Sequence, residues 1–133
     1  MSHLILVRHG QSEWNLQKRF TGWVDVKLTA TGKLEACKAG DLIKELKIDI
    51  NHFYCSYQKR AIDTLNLILN TLRIKNNSVI KAWELNERNY GSLTGLNKED
   101  MKKKYGVKKI HEFRRSWNIA PEPLNKNNPY HPL

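Results

Sequence analysis

The stretch Leu6-Val7-Arg8-His9-Gly10-Gln11-Ser12-Glu13-Trp14-Asn15 decides how the chain is read. It starts in a short apolar run, residues 3–7, and breaks at Arg8-His9-Gly10 into polar residues. An apolar run of that length, ended by a glycine, predicts a buried parallel strand that hands over to a loop. In open α/β sheets, ligands bind just beyond the carboxyl ends of strands. A histidine in that position meets ligand, and a neighbouring arginine selects an anion.

Downstream, strand and helix signals alternate. Thr29 is a good N-cap for a helix running to about Lys47, with Ala36, Ala39, Ile43 and Leu46 as its apolar stripe. Phe53 to Cys55 predicts a second strand. Ser56 then caps a helix with the stripe Ala61, Leu65, Ile68 and Leu72. Asn76-Asn77 is a turn signal, and residues 79–83 predict a third strand. Residues 84–96 read as a polar loop containing Gly91 and Gly95. Lysine-rich helices follow over residues 97–105 and 107–117. The tail, residues 120–133, holds all four prolines and is expected to be extended or disordered. Strands alternating with helices predict an α/β fold: a mainly parallel sheet with helices on its faces. The organisation expected is one domain over residues 1–119 plus the tail.

Composition narrows the function classes. With 133 residues and 40 % hydrophobic content, the chain can bury a core of its own. No apolar run approaches the ~20 residues of a membrane span, and no secretory leader is expected. Cys37 and Cys55 stand apart, as free thiols do in a reducing cytoplasm. The net charge of +10 favours anionic partners. The lysine runs 102–104 and 108–109 read as a solvated face, and Trp14, Trp23, Trp83 and Trp117 as core or loop anchors. On charge alone nucleic acid and a small phosphorylated metabolite are both candidates; the metabolite is the partner expected, with neither nucleic acid nor membrane.

A histidine that attacks phosphorus needs a free lone pair. An imidazole with pKa ~6.5 is mostly neutral at neutral pH, and nearby arginines disfavour its protonation further. Arg8 and Arg60, each just past a strand candidate, can clamp phosphoryl oxygens in forked hydrogen bonds. Gly10 allows close backbone approach to an anion, while Ser12 and Asn15 offer neutral donors. Glu87 is the carboxylate chosen for proton transfer at the substrate oxygen.

Five blocks, in order, resemble the cofactor-dependent phosphoglycerate mutases of the histidine phosphatase superfamily. They are residues 6–15, Arg19-Phe20-Thr21-Gly22-Trp23, Lys59-Arg60-Ala61, residues 85–98 and Arg114-Arg115. The resemblance implies a three-layer α/β/α sandwich. It implies that His9 carries a phosphoryl group primed by 2,3-bisphosphoglycerate, that Arg8 and Arg60 grip it, and that Glu87 moves the proton. Tyr90, Lys98, Arg114 and Arg115 would hold the carboxylate and second phosphate. Gly10, Gln11, Ser12, Glu13, Trp14, Asn15, Thr21, Gly22, Arg88 and Asn89 would complete the binding set. The reaction implied interconverts 2-phosphoglycerate and 3-phosphoglycerate in glycolysis and gluconeogenesis, without a metal, in the cytoplasm.

Members of this family also carry a later His-Gly-Asn that this sequence lacks, so the chain is expected to be the N-terminal part of such an enzyme. His3, His52, His111 and His131 read as surface or packing residues. A first strand left with a bare edge would permit a homo-oligomer. A phosphatase of the same superfamily, or a non-catalytic remnant of a mutase, stands as the alternative.

Overall fold

The computed structural model describes residues 2–75 and 78–132. The expected turn at Asn76-Asn77 lies outside these residues. In chain order the elements are α1 (Glu13–Leu16), α2 (Ala30–Glu45), β1 (Phe53–Cys55), α3 (Lys59–Leu72), β2 (Val79–Lys81), α4 (Lys98–Tyr105) and α5 (Val107–Arg115). Single 3-10 turns lie at Trp83–Leu85 and Gly91–Leu93. The chain packs as two units. One joins the residues up to Ser12 to Lys27–Asn86, and the other joins Glu13–Val26 to the residues from Glu87 onward.

The first unit is mixed α/β. Its strands β1 and β2 are parallel, with Phe53 opposite Val79, Tyr54 opposite Ile80 and Cys55 opposite Lys81. The pair is extended by the Ala82 N–H, which donates to the Cys55 carbonyl at 2.9 Å. Tyr54 and Ile80 share one face and are exposed, whereas Cys55 on the other face is buried. Burial pushes the Cys55 thiol above its ordinary value, against the opposing charge of Lys81.

Helix α2 starts where its cap predicts, with the Gly32 N–H donating to Thr29 Oγ1 at 3.0 Å. Of the stripe expected from periodicity Ala36 is buried, joined by Gly32 and Gly40, while Leu46 is exposed. The reason is close helix packing. A Cβ on Gly40 would lie 2.7 Å from Cβ of Thr71 in α3, so this face accepts only small residues. Helix α3 answers with its own line four residues apart, Arg60, Thr64 and Ile68, joined by Leu69. Its N-cap is Gln58, two residues later than expected. Ser56 instead turns back locally, its Oγ accepting the Gln58 N–H at 3.3 Å. Arg73, at φ 58°, ends the helix in the left-handed conformation.

The expected first strand is corrected. Residues 3–7 belong to no strand, and Leu4 and Leu6 are 82 % and 85 % exposed. A strand exists only through its ladder of backbone hydrogen bonds, and apolar composition alone supplies none. The third strand is also shorter than residues 79–83, because the chain enters a 3-10 turn at Trp83.

The second unit is built on a short antiparallel contact between residues 18–20 and 95–98. Phe20 N–H donates to the Leu96 carbonyl at 3.0 Å, Gly95 N–H to the Phe20 carbonyl at 2.8 Å, and Lys98 N–H to the Lys18 carbonyl at 2.8 Å. Phe20, Tyr90, Leu93 and Ile110 form its core, with Met101 and Phe113 against them. Asn97 caps α4, its Oδ1 accepting the Glu99 N–H at 2.8 Å. Gly106, at φ 85°, separates α4 from α5, which stops at Arg115 and not at residue 117. Residues 120–132 form neither helix nor strand, yet they pack: the Ser92 N–H donates to the Glu122 carbonyl at 2.7 Å. Trp14 is buried, whereas Trp83 and Trp117 are exposed, which leaves them outside the core. Among the described residues, no helix is long and apolar enough to cross a membrane.

Candidate active site

In the first unit the site centres on His9. Its Nδ1 lies 2.7 Å from the Gly10 carbonyl, and Arg60 Nε lies 3.2 Å from its Nε2. A carbonyl only accepts and a guanidinium N–H only donates. Both bonds form together only when Nδ1 carries the proton and Nε2 carries a lone pair. The ring is thus set as a neutral imidazole whose lone pair lies at the nitrogen beside Arg60.

Arg60 is fully buried in the first turn of α3. A charge held there needs compensation from polar groups around it. Thr64, one helical turn on, ties the two halves of this cluster. The Gly10 N–H donates to Thr64 Oγ1 at 3.1 Å, and the same hydroxyl donates to the Arg60 carbonyl at 2.8 Å. Sequence reasoning missed Thr64. The available signal was its spacing of four from Arg60, which puts both on one helical face.

The glycine at position 10 has a packing reason beyond the one expected. A side chain there would collide with the Gly32 carbonyl, and one on Gly32 would collide with the Gln11 carbonyl. The signature loop is thereby pressed onto the start of α2. Gln11 is committed to the same helix. Its carbonyl accepts the Thr29 N–H at 2.9 Å, its Oε1 accepts the Thr29 hydroxyl at 2.8 Å, and its N–H donates to Glu35 at 2.7 Å. Ser12 is fully buried and bridges to Leu28. Arg8 is exposed.

In the second unit a separate cluster forms around Tyr90. Gly22, at φ 55°, lies with its backbone against Arg88 and Tyr90, so close that a Cβ would meet the Arg88 carbonyl at 3.3 Å. Trp23 Nε1 donates to the Glu87 carbonyl at 2.7 Å. Arg88 donates to the Phe113 carbonyl at 2.9 Å, next to Arg114. Asn89 Oδ1 accepts the Gly91 N–H at 2.8 Å. Burial pushes the Tyr90 hydroxyl above its ordinary value, and the nearby Glu87 charge adds to this. Arg114 and Arg88 oppose it, Arg114 also through a hydrogen bond.

Thr21 Oγ1 and Arg114 Nε are, among the described residues, buried without a hydrogen-bond partner. Both can donate, and a buried donor left unpaired is costly. An acceptor-rich anion, carboxylate or phosphate, is the ligand type that satisfies them. Lys98, half-buried at the start of α4, has its ammonium 5.9 Å from the Phe20 ring. Glu13 and Arg115 are exposed, and Trp14 is buried beneath Arg19. Among the described residues no cluster of His, Cys, Asp and Glu is suited to a metal.

A histidine bonded through Nε2 to a fully buried arginine is an arrangement suited to an anionic ligand. The model of the histidine phosphatase superfamily (branch 1) matches residues 4–128, and the chain belongs to that family. It is 72 % identical over all its 133 residues to a 2,3-bisphosphoglycerate-dependent phosphoglycerate mutase of Pelagibacter ubique, of which it covers 56 %. It is 47 % identical to the enzyme so named from a Hydrogenobaculum species, over 99 % of this chain and 53 % of that one. Among solved structures, phosphoglycerate mutase from Bacillus anthracis matches with a TM-score of 0.66 and 28 % identity, over 79 % of this chain and 47 % of that chain. The chain thus spans about half the length of the curated relatives it matches.

Proposed function

We propose that this chain carries the phosphoryl-accepting and substrate-holding residues of a 2,3-bisphosphoglycerate-dependent phosphoglycerate mutase. The observation that supports this most directly is the His9 tautomer held between the Gly10 carbonyl and Arg60. It leaves a lone pair, rather than a proton, at the nitrogen that attacks. 2,3-Bisphosphoglycerate, when bound, supplies the phosphoryl group.

His9 Nε2 bonds the phosphorus as the bond from phosphorus to the sugar-acid oxygen breaks and phosphoglycerate leaves, and Arg60 and Arg8 neutralise the charge on the equatorial oxygens. The Arg60 N–H that now bonds Nε2 is released to phosphoryl oxygen once Nε2 is bonded to phosphorus. Glu87 gives and takes the proton at the sugar-acid oxygen. Arg114, Tyr90, Lys98 and Arg115 hold the remaining anionic groups, and the unpaired donors of Thr21 and Arg114 support that assignment. The substrate is a phosphorylated three-carbon acid, interconverted between its 2- and 3-phospho forms. We assign the chain to the cytoplasm, where its free thiols Cys37 and Cys55 stay reduced.

The test is to incubate the folded chain with 2,3-bisphosphoglycerate and read the intact mass and phosphorus NMR. The expected result is one phosphoryl group on His9, abolished in His9→Ala. A folded chain that stays unlabelled overturns the reading. A label lost only to water would shift it to a phosphatase.

A further inference from the structure

The half-buried side chain of Arg19 lies outside the phosphate- and acid-holding groups named above, yet it joins three parts of the second unit. Its Nε donates to the Gly95 carbonyl at 2.6 Å and one terminal nitrogen donates to the Tyr130 hydroxyl at 3.1 Å. Its guanidinium carbon sits 4.1 Å from the centre of the Trp14 ring. The Tyr130 ring closes the arrangement by standing edge-on to Trp14, with centroids 5.0 Å apart and planes at 85°. One cation thus cross-links α1, the 91–95 turn and the tail.

We infer that Arg19 is a positioning residue for the Thr21-Gly22 loop. The inference deepens the mutase reading and rests on it. Arg19 precedes the loop by two residues, and its own backbone bridges Asn97. Trp23 anchors the loop's far end through the Glu87 carbonyl. Between these anchors lies Thr21, whose buried hydroxyl has no partner among the described residues. Gly22 lies between them too, in the left-handed conformation, pressed on the Arg88–Tyr90 backbone. Loop residues with an unpaired donor hold their geometry only if both ends are fixed. Arginine suits the near end because its rigid fork can bond Gly95 and Tyr130 while its flat face stacks on Trp14. A lysine offers a point charge with neither property.

Arg19→Lys and the milder Tyr130→Phe test this. The first readout needs no ligand: solvent exchange of the Trp23 indole N–H, assigned by its loss in Trp23→Phe. The second is calorimetric affinity for 3-phosphoglycerate. With melting temperature kept near that of the parent, Arg19→Lys is expected to speed indole exchange and to weaken 3-phosphoglycerate binding, each about tenfold. Tyr130→Phe is expected to give smaller changes in the same direction, and it stands in if Arg19→Lys does not fold. Unchanged indole exchange in folded variants overturns the inference, whether or not the ligand binds. A parent chain that fails to bind 3-phosphoglycerate counts against the mutase reading instead, and altered indole exchange would still support Arg19 as the loop's anchor.

Discussion

Replacing Thr64 by valine removes one oxygen and changes almost no volume. That oxygen is 3 % exposed with its residue and is the acceptor for the Gly10 N–H at 3.1 Å. The Arg60 carbonyl also loses its hydroxyl donor, but it keeps its place in the helical ladder. The main cost is therefore one buried, unsatisfied N–H, about 1–3 kcal/mol. For a chain of this size that corresponds to a fall of about 4–11 °C in melting temperature. Thermal unfolding followed by circular dichroism measures it directly. Thr64→Ser keeps the hydroxyl and is expected to stay within about 1 kcal/mol of the parent. The effect should reach His9 as well, because the residue that loses its tether also supplies the carbonyl that holds Nδ1. Thr64→Val should accept the phosphoryl label more slowly than Thr64→Ser. If the valine and serine variants melt together, within about two degrees of the parent, the assigned tether carries no weight and the reasoning fails.

Two further outcomes follow from the packing and from Tyr90. Gly40→Ala puts a methyl group 2.7 Å from Cβ of Thr71, and the forced separation of α2 and α3 should cost about 1–3 kcal/mol in urea unfolding; an unchanged midpoint would deny the close approach. The Tyr90 hydroxyl is raised above the ordinary value of 10.0 by burial and by Glu87. The folded state therefore holds its proton more tightly than the unfolded state does. Its contribution to stability is fully present below about pH 10 and is lost as the pH rises from there through the folded value. The parent should lose stability in that alkaline window more steeply than Tyr90→Phe, and equal slopes would contradict the direction.

Much of the local structure was legible in the chain. Thr29 and Asn97 announce the starts of α2 and α4 because a cap is a contact between near neighbours in sequence. Phe53–Cys55 was readable from its apolar content. Readings that depended on distant partners fared worse. Residues 3–7 have the composition of a strand, but pairing is a property of two segments and sequence shows only one of them. The face of α2 was only partly foreseen, because Gly32 is pressed on the Gln11 backbone and Gly40 on Thr71 of α3, where no bulk fits.

The amino-acid sequence by itself determined which donors, acceptors and charged groups are present and where α2 and α4 begin, since both are matters of side-chain chemistry and short-range hydrogen bonding. Tertiary structure alone decided which nitrogen of His9 holds the proton, why Thr64 matters and what Arg19 grips. Those outcomes depend on atoms brought together from positions 51, 54 and 111 residues apart, and no local preference encodes such a meeting.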